Sequence, residues 1–166
     1  MENTITEIQM ACFRLGDHLY AMDIMRIKEI IRPQKLAVLP KAPLFVEGVL
    51  NLRGAVIPVI DLRKRFNMPL REIDQSRRLL IVALAGRTLG VAVDEVTEVI
   101  TVPAANIKPP PQVTNGVGAE YLIGVCLYGE ELVMLLNPDR ILTWSEENEL
   151  GRVQEAKELQ SGAELH

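Results

Sequence analysis

The feature that most constrains this chain is a repeat within it. Ile27-Lys28-Glu29-Ile30-Ile31 is echoed by Val96-Thr97-Glu98-Val99-Ile100, 69 residues later, and Pro40 falls on Pro109 at the same offset. Gly48 then matches Gly124, and residues 56–61 match residues 132–137, now 76 residues apart. The difference of seven is an insertion between Pro109 and Tyr121, where Pro110, Pro111, Gly116 and Gly118 cluster. A five-strand plan used twice predicts two small barrels. The expected fold is mostly β, with a first copy over 9–66, a second over 78–144 and short helices. An exchange of chain ends between the copies is left open. Residues 145–166 form a separate acidic tail.

Within the first copy, residues 46–63 (VEGVLNLRGAVIPVIDLR) organise the rest. Two apolar runs meet at the Asn51-Leu52-Arg53-Gly54 corner, which reads as a tight turn between strands. Gly54 allows positive φ without steric cost, so the turn holds the neighbouring Arg53 guanidinium at a fixed place on the surface. Pro58 lacks a ladder donor, which favours an edge strand, a bulge or a barrel lip. Asp61 is placed to cap a short helix over 62–66. Upstream, 9–15 and 19–23 read as a hairpin around Gly16-Asp17-His18. A helical turn over 24–29 is expected before Ile30 and Ile31 resume extended structure, and 35–39 reads as a short strand. Asn137-Pro138 is a cap followed by a first-turn proline, so 139–144 should begin a helix.

The central segment resembles the NLRG-x-x-x-P-x-x-DLR signature of the CheW family of bacterial chemotaxis coupling proteins. Pro40, Phe45, Gly48, Asn51, Arg53, Gly54, Pro58, Asp61 and Arg63 fall at matching places, and the resemblance runs from about residue 9 to 144. It implies two five-stranded, SH3-like barrels packed side by side. It also implies a non-catalytic adaptor without a cofactor, joining the cytoplasmic tips of methyl-accepting chemoreceptors to the regulatory domain of the histidine kinase CheA. That domain shares the double-barrel fold, so the two would pack barrel end against barrel end, through rims with apolar loops and unpaired strand ends. The positions matching the family's coupling surface are Ile27, Glu29, Gly48 and Arg53. Ile30 and Val99, equivalent in the two copies, are assigned to a groove between the barrels. Ile27, Ile30 and Val99 would give apolar contacts to a receptor helical hairpin, and Arg53 would fix register through a carboxylate on the partner or on Glu29. The alternative is an adaptor for a kinase of pilus motility or another non-flagellar pathway.

Composition narrows the other classes. Apolar residues make up 48% of the 166 but aromatic ones only 4%, so the core is expected to be Val, Ile and Leu, as in β-structure. The net charge of −4 comes from the tail, where Glu146, Glu147, Glu149, Glu155, Glu158 and Glu164 face only Arg152 and Lys157. Of 22 acids and 18 bases, sixteen of each remain in residues 1–144. A neutral body with few aromatics does not provide the basic groove and stacking platform of a nucleic-acid-binding barrel. His18 reads as an exposed turn residue and His166 is the last residue. No H-E-x-x-H, nucleophile elbow or phosphate loop occurs. Asp61 and Asp94 each follow an apolar strand, but a helix cap explains Asp61 without catalysis. Cys12 and Cys126 read as buried free thiols. With no basic leader and no apolar run near the roughly 20 residues that span a bilayer, the expected place is the cytoplasm.

Overall fold

The computed structural model describes residues 6–69, 72–84, 86–110, 119–143, 146 and 151. Ten strands carry the fold: β1 (Glu7–Leu15), β2 (His18–Asp23), β3 (Ile27–Ile31), β4 (Val46–Leu52), β5 (Ala55–Asp61), β6 (Arg78–Leu84), β7 (Arg87–Val93), β8 (Glu95–Pro103), β9 (Leu122–Tyr128) and β10 (Glu131–Leu136). A short α-helix, α1 (Leu62–Arg65), follows β5. Barrel I is the sheet β8-β1-β2-β10-β9, and barrel II is the sheet β3-β6-β7-β5-β4.

Neither barrel is a contiguous half of the chain. Each takes its first two strands from one copy of the repeat and its other three from the other copy. The copies join through the parallel pairs β2–β10, with Met134 beside Tyr20, and β5–β7, with Ile60 beside Val91, and through the antiparallel pairs β1–β8 and β3–β6. The chain changes barrels after β2, through the 3-10 turn Ile24–Arg26.

The hydrophobic pattern follows from this exchange. On β2, Leu19 and Ala21 enter the core of barrel I while Tyr20 and Met22 face the layer between the barrels. On β6, Leu79 and Ile81 fill barrel II while Leu80, Val82 and Leu84 face the same layer. Such strands are buried on both faces, so they read as continuous apolar runs. Each fully buried aliphatic side chain contributes about 1.5–3 kcal/mol. The shared layer therefore makes the two barrels one body. The rings of Phe13, Tyr20, Phe66 and Tyr121 follow one another through it, with centroids 6.2, 6.3 and 5.1 Å apart.

Arg65 sits where the two copies meet. Its guanidinium lies 5.0 Å from the centre of the Phe45 ring and 5.3 Å from that of Tyr121, and 45 and 121 are equivalent at the 76 offset. Its Nε donates to the carbonyl of Ile141, its own equivalent position, at 2.7 Å. The caps are paired too: the Asp61 carboxylate accepts from Arg63 N at 2.8 Å, and the Asn137 side chain accepts from Asp139 N at 3.1 Å.

Several expectations need correction. His18 opens β2 opposite Leu15 and is half-buried, because the turn needs only Gly16 and Asp17. The helical turn stops at Arg26 and Ile27 is already strand, since the Asp23 carboxylate caps only Met25 N. Residues 35–39 supply one bridge, Ala37 to Val49, rather than a strand. β5 lies inside its sheet, not at an edge. Pro58 is tolerated there because the ladder to β7 begins at Val59, so no donor is missed on that side. Instead of a helix over 139–144 there is a 3-10 turn, Pro138–Arg140. The next helix start is set by a capping box in which Thr143 N donates to Glu146 at 2.8 Å and Glu146 N donates to the Thr143 hydroxyl at 3.2 Å. Glu146 and Gly151 are helical, and the rest of the tail lies outside the described residues.

Candidate interaction surface at the mouth of barrel II

The β4–β5 hairpin closes in two residues, Arg53 and Gly54, with φ of 51° and 88°. Positive φ at both positions is the type I′ turn, whose twist suits a two-residue hairpin. Asn51 Oδ1 accepts from Gly54 N at 3.1 Å and fixes the corner. An arginine in the left-handed region costs roughly 1–2 kcal/mol. At the equivalent place in β9–β10 the residue is Gly129, with φ of 65°. The chain thus keeps a long cation in the left-handed region where its own second copy uses glycine.

Arg53 reaches across the barrel end to Glu29 on β3, forming an ion pair whose arginine side chain is 70% exposed. Beside it lies a groove of about 530 Å³ with Val56, Ile57 and Ile81 on its floor and Lys28, Glu29, Arg53 and Arg87 around it. Lys28 donates to the Thr88 hydroxyl at 2.5 Å. Three cations stand against one anion, so the mouth of barrel II is a positive pole.

The same end of barrel I has the opposite sign. Glu98 replaces Glu29 at the 69 offset, and it accepts a hydrogen bond from the Tyr128 hydroxyl at 3.2 Å. Glu98 holds that hydroxyl above its usual pKa. Where barrel II has Ala55, barrel I has Glu131, bound at 2.9 and 3.0 Å by both nitrogens of the Arg14 fork. That pairing keeps the Glu131 carboxyl below its usual pKa. Asp17 also lies close enough to raise the pKa of Arg14. Here the anions Glu95, Glu98, Glu131 and Asp17 outnumber the cation Arg14.

The remaining sequence-derived positions separate. Gly48 is buried and its Cβ would lie 2.5 Å from the carbonyl oxygen of Ala37, which gives it a backbone reason to be glycine. Ile27 packs partly against the shared layer. Ile30 and Val99 are 43% and 58% exposed, on edge strands of different sheets, and neither lines a described cavity.

Asp61 and Asp94 do face one cavity, of about 230 Å³, but each is held by an arginine. Arg77 reaches Asp61 at 3.3 Å, and Arg63 grips Asp94 with Nε at 2.6 Å and a second, shorter contact. The arrangement is an ion-pair network tying α1 to the β7–β8 connection, not a free acid and base. Among the described residues no cluster of three or more potential metal ligands occurs. Cys12 and Cys126 are free and buried in barrel I, and burial pushes the Cys12 thiol up to about 11.

Reading the copies position by position would have exposed Arg53 against Gly129 and Ala55 against Glu131. Lys28 joins Arg53 through β3 of the same copy, and Arg87 joins it because strand exchange brings β6 and β7 into the same barrel.

Comparison with known proteins gives a consistent picture. A family model described as the CheW-like domain matches residues 9–146. The chain is 34% identical to the chemotaxis protein CheW of Treponema pallidum, covering 89% of each chain, and 33% identical to that of Klebsiella aerogenes, covering 81% of each. It is 31% identical to the protein FrzA of Myxococcus xanthus, covering 88% of this chain and 92% of that one. Its fold is similar to the crystal structure of the scaffolding protein TtCheW from Thermoanaerobacter tengcongensis, with a TM-score of 0.79 at 30% identity, covering 88% and 94% of the two chains.

Proposed function

Because the chain belongs to the CheW family of chemotaxis scaffold proteins, we propose that it joins chemoreceptor tips to the regulatory domain of a CheA kinase through its barrel ends. The observation that carries this reading is the opposite charge of the two mouths, positive around Arg53 and negative around Glu131. The partner end that meets the Arg53 mouth is then negative, and the one that meets the Glu131 mouth positive. The molecules then pack positive end to negative end, which steers encounter and fixes orientation. Head-to-tail contacts of this heterologous kind build rings or rows instead of closed dimers.

Glu29 and Arg53 are the polar centre of this contact, with Ile30 as an apolar neighbour on the same edge strand. Ile27 and Val99 serve the receptor, whose helical hairpin presents apolar positions one turn apart. Gly48 supports the face through the backbone and touches no partner. The protein performs no chemical step. It works in the cytoplasm, recruited to receptor arrays, and passes on a change in receptor packing. The size of the response is set by how differently it binds the two receptor states.

The test is size-exclusion co-elution with the regulatory domain of a CheA from the same genome. The wild type should co-elute, and Arg53→Glu should run alone while melting at the same temperature. A wild type that binds no CheA regulatory domain removes the coupling role. Retained co-elution by Arg53→Glu would move Arg53 to the receptor side.

A further inference from the structure

The acidic tail has no part in the reading above, and the last described residues show where it is headed. Glu146 is bound by Arg65 at 3.0 Å and locked into the Thr143 capping box. Gly151 is helical, buried and packed on Arg87, so that a Cβ on it would overlap the guanidinium. Arg87 is a rim residue of the barrel II groove. The chain therefore reaches the edge of that groove before its last acids, Glu155, Glu158 and Glu164, have been used.

Charge decides what happens next. Residues 147–166 hold five acids against Arg152 and Lys157. The barrel II mouth presents Lys28, Arg53 and Arg87 against Glu29, whereas the barrel I mouth carries Asp17, Glu98 and Glu131 against Arg14. An acidic segment delivered at Arg87 is attracted by the first and repelled by the second.

We propose that the segment following Gly151 docks on the mouth of barrel II and occupies the surface that a partner's negative barrel end would take. The docking stands on the placement of Gly151 and the charges of the groove; only the competition rests on the adaptor reading. The tail is then a tethered competitor. Its effective concentration is high because it starts at the rim, and its hold is weak because its contacts are exposed charges. Coupling is damped until a partner outcompetes it or added charge strengthens or removes it.

The test uses the full chain with Ser161→Cys carrying a nitroxide label. The buried native thiols, one held at about 11, leave the new cysteine as the reactive one. At low salt the amides of Lys28, Arg53 and Thr88 should lose most of their intensity while those of Glu98 and Glu131 keep theirs. At about 1 M salt, where charges are screened within about 3 Å, the loss should disappear. No loss at barrel II, or equal loss at both barrels, overturns the proposal. So does loss on unlabelled, isotope-enriched protein mixed with labelled protein, because that places a second copy's tail in the groove.

The variant Glu155→Lys/Glu158→Lys should abolish the loss and lower the Kd for the kinase regulatory domain several-fold. An unchanged Kd with the loss abolished overturns the competition. If neither protein binds the kinase domain, the adaptor reading fails while the label measurement still decides the docking.

Discussion

Barrels I and II are built from the same strand plan and share one apolar layer, yet they differ at their mouths. Inside, residue answers residue: Met10 and Leu79, Cys12 and Ile81, Val133 and Ile57, Leu135 and Val59 fill equivalent places. At the rim the plan diverges, with Arg53 against Gly129, Ala55 against Glu131 and Arg87 against His18. Packing tolerates little change of volume, so the cores stay alike. The rims are wet, where a charge costs little, and there the two copies become opposite poles. A duplicated fold acquires direction this way. Two identical ends would give a symmetric partner of either, whereas two opposite ends define a head and a tail.

The sharpest way to break the shared part of the comparison is at the equivalent buried glycines Gly48 and Gly124. A Cβ on Gly48 would lie 2.5 Å from the Ala37 carbonyl oxygen, and one on Gly124 would lie 2.5 Å from the Lys108 carbonyl oxygen. In both barrels a loop crosses the fourth strand of the plan at that point, through the bridges Ala37–Val49 and Lys108–Val125. Gly48→Ala should cost about 3 kcal/mol, because its φ of 152° adds backbone strain to the overlap. Gly124→Ala should cost about 2 kcal/mol from the overlap alone. Chemical denaturation measures both. If Gly48→Ala melts like the wild type and loses only kinase binding, Gly48 is a contact residue and the backbone explanation is wrong.

The difference between the barrels is sharpened by Arg53→Asn. Asparagine tolerates the left-handed region and Asn-Gly is the preferred type I′ pair. Relief of roughly 1–2 kcal/mol of strain outweighs an exposed ion pair worth about 0–1 kcal/mol. The variant should therefore be more stable by about 0.5–1 kcal/mol, while its complex with the kinase regulatory domain weakens. Stability gained and binding lost together is the mark of a residue kept for its surface. A variant both less stable and equally good at binding would show that the Glu29 pair holds the barrel shut and does nothing else.

The repeat, its change of offset from 69 to 76, the two-residue corner and the Asp61 cap were all legible, because each depends on residues close in sequence or on spacing. What stayed hidden depends on pairing across the copies. Nothing local says that β3 pairs with β6 instead of with β1, so which copy supplies which strands of a barrel could not be read. Pro58 left an edge, a bulge or a barrel lip open, because a proline reports one missing donor, not which neighbour would have received it. Arg65 carries no local sign of its place, since its two aromatic rings lie 20 residues before it and 56 after it. The candidate site was half visible: Glu29 and Arg53 came from the sequence, and Lys28 and Arg87 joined them only in three dimensions.

The smallest expected effect concerns the ion pair that barrel I has and barrel II lacks. Arg14 and Glu131 correspond to Ala83 and Ala55, so acid removes a contact from one barrel that the other never made. The hydrogen bond from Arg14 lowers the Glu131 pKa below the ordinary value of 4.5. A carboxyl lowered in the folded state stabilises the fold above its unfolded pKa, and that contribution is lost as pH falls through the folded one. The Glu131→Gln variant should thus be less stable than the wild type at neutral pH, and the gap should close below about pH 4 as the wild-type carboxyl takes up its proton. Both side chains are more than a third exposed, so screening holds the gap to a fraction of 1 kcal/mol. Denaturation midpoints at neutral and acid pH measure it. A gap that stays constant with pH would mean that Glu131 acts on stability through packing instead of through its ion pair with Arg14.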